Sequence, residues 1–354
     1  GNGIHGRLMG ACVGDIDNDG RPDVVATWFQ ASGASGVQVI QNTSNFAAVA
    51  AATFDPKPAV QLDAGTNGSL DPQDIVCGDW DNDGDLDVAV LNTGNGVDQP
   101  TLQLLNGDGS TTNLTAGDSY NVGAGLNSAP RRLAVSDFDR DGWLDIAVTI
   151  TGDDTFQLFM NDGDGTFTAD TAVNTSAVTD KPLSIVAHDY NGDGYDDLIV
   201  GSEATSGDTD LSYWINTNAA SPFNAGAFSQ TLTTTGVTGH TALLSIDLDV
   251  DGNNDLVAVN SSGTTVSTFV SNLQSAQDTY AAGSVTGSVD NIAQSGEALA
   301  SPEAADVDAS GTPEVFVLGA GATEEVFVFT DGNVDATPDA TVILADGNNA
   351  VDLV

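Results

Sequence analysis

Asp79-Trp-Asp-Asn-Asp-Gly-Asp-Leu-Asp87 sets aspartates at every other position of a nine-residue stretch, and the chain repeats it. Further copies are Asp15-Ile-Asp-Asn-Asp-Gly-Arg-Pro-Asp23, Asp137-Phe-Asp-Arg-Asp-Gly-Trp-Leu-Asp145, Asp189-Tyr-Asn-Gly-Asp-Gly-Tyr-Asp-Asp197 and Asp247-Leu-Asp-Val-Asp-Gly-Asn-Asn-Asp255. A sixth is altered: Asp306-Val-Asp-Ala-Ser-Gly-Thr-Pro-Glu314. First-Asp positions 15, 79, 137, 189, 247 and 306 are 64, 58, 52, 58 and 59 residues apart. Self-similarity at such a period marks a repeat architecture.

Outward from each motif the pattern is that of strands. A short apolar run follows every copy: Val24 to Ala26, Val88 to Val90, Ile146 to Val148, Leu198 to Val200, Leu256 to Ala258 and Val315 to Val317. Runs of this kind, bounded by turn residues, read as strands buried on both faces. Another apolar-rich segment precedes the motifs, as at Leu133 to Val135, and a further strand follows, as at Phe156 to Met160. Gly, Asn, Asp, Ser and Thr punctuate the rest, and no helical periodicity persists. Each repeat of roughly 58 residues therefore holds about four short strands, the size of one propeller blade.

The six Asp-rich stretches, the strand after each and the Asn161-Asp-Gly-Asp-Gly-Thr-Phe167 turn resemble the FG-GAP/VCBS repeat family. Its best-known members form the β-propeller of integrin α subunits. The resemblance implies an all-β fold, a single β-propeller domain over residues 1–354 with motifs at 15–23, 79–87, 137–145, 189–197, 247–255 and 306–314. Six four-stranded blades fit the length, the alternative being seven with one incomplete. In this family the innermost strand precedes the loop, so the calcium loops share one face and the segments leading into those strands share the other.

The loop chemistry points to calcium independently. Ca²⁺ takes six to eight oxygens, and alternate side chains of a tight loop converge on one point. Positions 1, 3 and 5 supply Asp15, Asp17 and Asp19; Asp79, Asp81 and Asp83; Asp137, Asp139 and Asp141; Asp189, Asn191 and Asp193; Asp247, Asp249 and Asp251; Asp306, Asp308 and Ser310. Position 7 offers a backbone carbonyl, which explains its variety: Arg21, Asp85, Trp143, Tyr195, Asn253 and Thr312. Position 9 adds Asp23, Asp87, Asp145, Asp197, Asp255 or Glu314. Gly at position 6 lets the chain turn with φ > 0. Position 2 is apolar or aromatic and is expected to point away from the ion, into the gap between blades. An EF-hand would need Glu at position 12, where these repeats carry Ala or Val. Five to six Ca²⁺ ions are expected, the sixth loop being weakened by Ser310 and Glu314.

Seven Lys+Arg against 51 Asp+Glu give a formal net charge of -44. Repulsion on that scale argues against nucleic acid and anionic membranes as partners. No apolar run is long enough for a transmembrane segment. Six divalent ions would leave the charge at -32, so most of the acidity lies on the surface and suits saline surroundings. With millimolar external calcium this favours a secreted or cell-surface protein, whose partners would be a protein, a glycan or further copies of itself.

Cys12 and Cys77 precede their loops by three and two residues. Those offsets face opposite sides of a strand, so two buried thiols are expected rather than a disulfide. The scarce basic residues gather: Arg7 and Lys181 stand eight residues before a first Asp, His240 seven, Arg131 six, Arg132 five and His5 ten. They are expected to ring the face opposite the loops, as an anion- or acidic-glycan-binding site or simply as counter-charges for nearby aspartates. A recognition, adhesion or surface-assembly module is the favoured function. The alternative is a carbohydrate-active enzyme, a polysaccharide lyase or hydrolase, for which His5 or His240 with Arg131 or Arg132 are the candidates. No Gly-x-Ser-x-Gly elbow or Cys–His constellation supports catalysis.

Overall fold

A computed structural model describes residues 7–30, 34–44, 53–62, 71–94, 96, 98–110, 114–170, 173–174, 181–203, 211–218, 228–234, 240–248, 250–260, 265–269, 290–291, 298–305, 311–320, 325–329 and 340–343. These form six antiparallel sheets, each following chain order. Sheet one runs Arg7–Gly14, Asp23–Phe29, Ser35–Asn42 and Phe54–Pro56, with Val60–Gln61 beside its third strand. Sheet two is Asp71–Gly78, Asp87–Thr93, Thr101–Asn106 and Thr115–Asn121. Sheet three is Pro130–Ser136, Asp145–Ile150, Thr155–Asn161 and Phe167–Ala169, with Val173–Asn174 added. Sheet four is Pro182–His188, Asp197–Ser202, Leu211–Asn216 and Phe228–Thr234. Sheet five comprises His240–Ile246, Asp255–Asn260, Thr265–Phe269 and Asp290–Asn291; sheet six comprises Ala298–Ala305, Glu314–Ala320, Glu325–Phe329 and Ala340–Ile343.

Every Asp-rich loop joins the first strand of its sheet to the second, and first strands of successive sheets lie side by side. The arrangement is propeller-like. Second strands such as Asp145–Ile150 and Asp197–Ser202 are buried throughout, because a neighbouring sheet covers each of their faces. Each first strand also carries a register shift near its start, for example between Pro130 and Leu133 or between His240 and Ala242. Such bulges bend a strand at the rim where it enters the sheet.

The core is divided into clusters between successive sheets, and position 2 of each loop anchors one. Ile16 packs with Val25, Ile75 and Val90 between sheets one and two, and Trp80 with Leu104, Val148 and Phe159 between two and three. Phe138 joins Leu158, Ile185 and Trp214; Tyr190 joins Tyr213 and Leu256; Leu248 joins Val257, Val315 and Phe329. All five anchors are at most 1% exposed. The expected orientation of position 2 holds in the five loops whose second residue is described.

The two thiols do not stay apart. Cys12 and Cys77 form a disulfide, with Cα atoms 5.9 Å apart and a separation of 65 in sequence. The two offsets do put the side chains on opposite faces of their strands, and those are the faces that meet. Adjacent sheets stacked face to face turn opposite sides toward one another, so residues of opposite parity on neighbouring first strands are the ones that meet. Closing a loop of this length stabilises the fold by about 4 kcal/mol in the chain-entropy account, less any native strain. Replacing both cysteines with Ser should therefore lower unfolding stability by about 2–4 kcal/mol, read as a shifted denaturant midpoint that no longer responds to reductant.

Candidate metal centres

The loops share one hydrogen-bond plan. The position-1 carboxylate accepts the backbone N–H of positions 5 and 6 at 2.7–3.1 Å in loops one to five: Asp15, Asp79, Asp137, Asp189 and Asp247 each do so. Position 5 then accepts the N–H of position 7, as in Asp141 to Trp143 at 2.9 Å. Side chains so restrained curl the loop about a centre. The glycine at position 6 is left-handed in all six loops, with φ between 84° and 97° from Gly20 to Gly311.

Position 4 is left-handed too, which the sequence reading missed: Asn18 (φ 56°), Asn82 (56°), Arg140 (61°), Gly192 (73°) and Val250 (60°). Asn and Gly adopt this conformation readily and were the available signal, whereas a β-branched valine there is strained. Position 7 is also a contact point between loops. The Asn18 side chain donates to Asp85 Oδ1 at 2.6 Å, and the Arg140 guanidinium lies 4.5 Å from the centre of the Tyr195 ring. In both cases position 4 of one loop reaches position 7 of the next.

Carboxylate oxygens converge in three loops. Asp15, Asp17 and Asp19, then Asp79, Asp81 and Asp87, then Asp137, Asp139 and Asp145 each offer oxygens within 4.8 Å of one another. Asp17 Oδ1 is buried without a hydrogen-bond partner, which a cation would supply. The residues present therefore fit a hard cation. In loop four Asn191 stands where the others carry Asp, and Asp249, Asp306, Asp308 and Ser310 lie outside the described residues.

Position 9 has a structural task that sequence reasoning did not foresee. Asp23, Asp87, Asp145, Asp197 and Asp255 are all 3% exposed or less, and Glu314 is similarly buried. Their oxygens accept the N–H of position 2 (Ile16, Trp80, Phe138 and Leu248 at 2.8–3.2 Å). They also accept the N–H of a residue at the end of strand three: Asn42, Gly107, Asn161 or Asn216 at 2.7–2.8 Å. The asparagine side chains go further, donating to Trp80 O from Asn161 (2.9 Å) and to Phe138 O from Asn216 (2.8 Å), each in the preceding loop. A recurring Asn 16 to 19 residues after position 9 was the signal for them.

Burial raises Asp23, Asp87, Asp145 and Asp197 above the ordinary carboxylate range, despite the opposing N–H bonds. Asp87 is pushed up to about 6, and Asp145 and Asp197 to about 7. Neighbouring carboxylates, Asp139 and Asp141 in the case of Asp145, push the same way. The unfolded chain releases these protons near pH 4, the folded cation-free chain only near 6–7, so deprotonation costs stability across that window. Metal-stripped protein should lose melting temperature as pH rises from 4 to 7, and the loss should vanish when a divalent cation holds the carboxylates ionised. Melts across a pH series with and without the ion check this.

Beside loop two a cleft of about 160 Å³ opens between Trp80, Asp81 and Asp87 and the Asp164–Thr166 turn of sheet three. Its lining carries four aspartates and no Lys, Arg or His.

On the other side, Arg7, Arg131, Arg132 and His240 lie in the opening residues of first strands, and Lys181 immediately precedes one. Arg132 pairs with Asp74 of the preceding sheet at 3.6 Å, and Lys181 with Glu203 at 2.8 Å. Arg131 is exposed. His5 and the side chains of Arg7 and His240 lie outside the described residues; the backbone places Arg7 and His240 at this rim. His188 packs against Tyr190 as a strand residue, with ring centres 5.5 Å apart.

The FG-GAP-like repeat matches at residues 15–90, 79–148 and 137–200, together more than half of the chain. The chain belongs to the FG-GAP-like repeat family. No curated protein matches it significantly. Among solved structures this FG-GAP-like protein is similar to an Agrocybe aegerita lectin described for specific recognition of non-reducing terminal N-acetylglucosamine (17% identity, TM-score 0.56, covering 96% of this chain and 80% of the lectin). It is also similar to BBS1N, solved in complex with ARL6DN (11%, TM-score 0.55, covering 97% and 84%). A Lactobacillus plantarum protein aligns comparably (12%, TM-score 0.53, covering 97% and 85%). At these identities the likeness concerns the fold.

Proposed function

We propose that this FG-GAP-like protein is a calcium-stabilised extracellular β-propeller of six blades that serves as a recognition or surface-assembly module. The observation that carries it is the convergence of three carboxylates in each of three successive loops, with a buried oxygen of Asp17 left without a partner. Ca²⁺ suits these loops better than Mg²⁺, because an oxygen-rich loop that dehydrates the ion favours the larger cation. The loops four to six follow the same plan in sequence and would bring the count to five or six ions.

An oxidising, calcium-rich compartment fits the Cys12–Cys77 disulfide, since such bonds persist outside the reducing cytosol. No helix among the described residues is long and apolar enough to cross a membrane. Glycan is the ligand class we favour over an anionic polymer. The net charge opposes the latter, and a solved fold relative recognises a terminal sugar. The rim of Arg7, Arg131, Arg132, Lys181 and His240, with His5, is the proposed ligand face, and Arg131 is its described cation without an ion pair to an acid.

An ion that binds the native state at a hundredfold excess over its Kd adds about 2.7 kcal/mol per site. Melting temperature should therefore fall sharply in chelator and recover with Ca²⁺ more than with Mg²⁺. An unchanged melt in chelator would sink the calcium reading. On a glycan panel, Arg131→Ala with Arg132→Ala should weaken binding while leaving the calcium-dependent melt intact; equal binding by the variant moves the ligand site elsewhere.

A further inference from the structure

The hydrogen bonds around loops two, three and four join into one buried chain. From loop four, Asp197 Oδ1 accepts the Asn216 N–H at 2.7 Å, and the Asn216 side-chain amide donates to Phe138 O at 2.8 Å. The Phe138 N–H donates to Asp145 Oδ2 at 3.0 Å, and Asp145 Oδ1 accepts the Asn161 N–H at 2.8 Å. The Asn161 side chain then donates to Trp80 O at 2.9 Å, and the Trp80 N–H to Asp87 Oδ2 at 3.0 Å. Asp87 and Asp145 each belong to a convergent carboxylate triad, so two residues separate one triad from the next.

We propose that cation binding in loops two, three and four is thermodynamically coupled through Asn161 and Asn216. The proposal rests on the calcium reading above. An ion held by Asp145 fixes that carboxylate, which fixes the Asn161 backbone and hence the amide that clamps the first turn of loop two. Loop two then loses less freedom when its own ion binds, and that difference is the coupling. Every link is buried, where hydrogen bonds are electrostatically stronger and polarise one another. Loop three is the node, because Asp145 is bonded both to Asn161, which clamps Trp80 O of loop two, and to Phe138, whose carbonyl receives Asn216.

Loop one lies outside the chain. The second oxygen of Asp87 is taken by the N–H of Gly107, which stands at the register position of Asn161 and has no side-chain amide to reach loop one. Sheets one and two are joined instead by the Cys12–Cys77 disulfide and the exposed Asn18–Asp85 bond. A covalent tie stands where the asparagine clamp is missing, and loop one becomes an internal control.

Hydrogen–deuterium exchange read by mass spectrometry during a Ca²⁺ titration of the full chain resolves peptides over 15–23, 79–87, 137–145 and 189–197 separately. Asp139→Asn, which weakens loop three alone, should raise the calcium midpoint of loops two and four by about fivefold or more. The midpoint of loop one should stay within error. Reciprocity requires Asp193→Asn in loop four to raise the loop-three midpoint by a matching factor. Asn216→Ala keeps the backbone N–H to Asp197 but removes the clamp on Phe138, so adding Asp139→Asn to it should no longer move loop four. Asn161→Ala serves the same purpose between loops two and three should Asn216→Ala lose its far-UV circular dichroism. Unchanged midpoints in loops two and four, or an equal shift in loop one, overturn the coupling while leaving calcium binding intact. Absence of calcium protection in every wild-type loop overturns the calcium reading and the coupling together.

Discussion

A carboxylate buried at the ninth position of each loop holds three parts of a sheet in register. It begins the second strand; in loops one, two, three and five one of its oxygens takes the N–H of the loop's second residue, and in sheets one to four the other takes an N–H at the end of the third strand. Burying an ionised group is costly unless it is paired and hydrogen-bonded. Here the cost is met by backbone donors that would otherwise be buried without acceptors. The aromatic or aliphatic side chain at position 2 is thereby pinned over the cleft to the following sheet, where it closes a core cluster. Loop, register and inter-sheet packing thus depend on one group.

The same economy makes the fold sensitive to charge. Three of the loops crowd carboxylates within 4.8 Å of one another, and the buried Oδ1 of Asp17 has no hydrogen-bond donor among the described residues. Repulsion within the loop and burial at its ninth position both disfavour the ionised state, and a hard cation relieves both at once. The left-handed residues at positions 4 and 6 are tolerated under the same restraint. Arg140 and Val250 take a conformation that such residues avoid, and the hydrogen bonds of the loop hold them there.

Much of this was legible before any coordinates, because it is local. The alternation Asp-x-Asp-x-Asp-Gly specifies which side chains share the inside of a turn, and the apolar run after it specifies a strand covered on both faces. From residues 15 to 23 alone one reads the loop, its glycine and the direction of Ile16. The period of 52 to 64 residues then supplies the number of sheets. The double use of position 9 was not legible, since a carboxylate beside a metal motif reads first as a ligand. Only the third strand, brought back 16 to 20 residues later, shows that it is also a backbone acceptor.

What the chain could not reveal by itself concerns pairs of residues on different repeats. The offsets of Cys12 and Cys77 place them on opposite faces of their strands, and within one sheet that would keep them apart. Stacking turns the facing sides of two sheets toward each other, so opposite parity becomes the condition for a bond. Asn161 and Asn216 are likewise ordinary turn residues in sequence and inter-sheet clamps in space. The sequence by itself determined the loops, the strands and their repetition, because turn geometry and alternation act over a few bonds. The tertiary structure decided which loops touch, which cysteines meet and which basic residues are already paired, because those depend on how one sheet is rotated against the next.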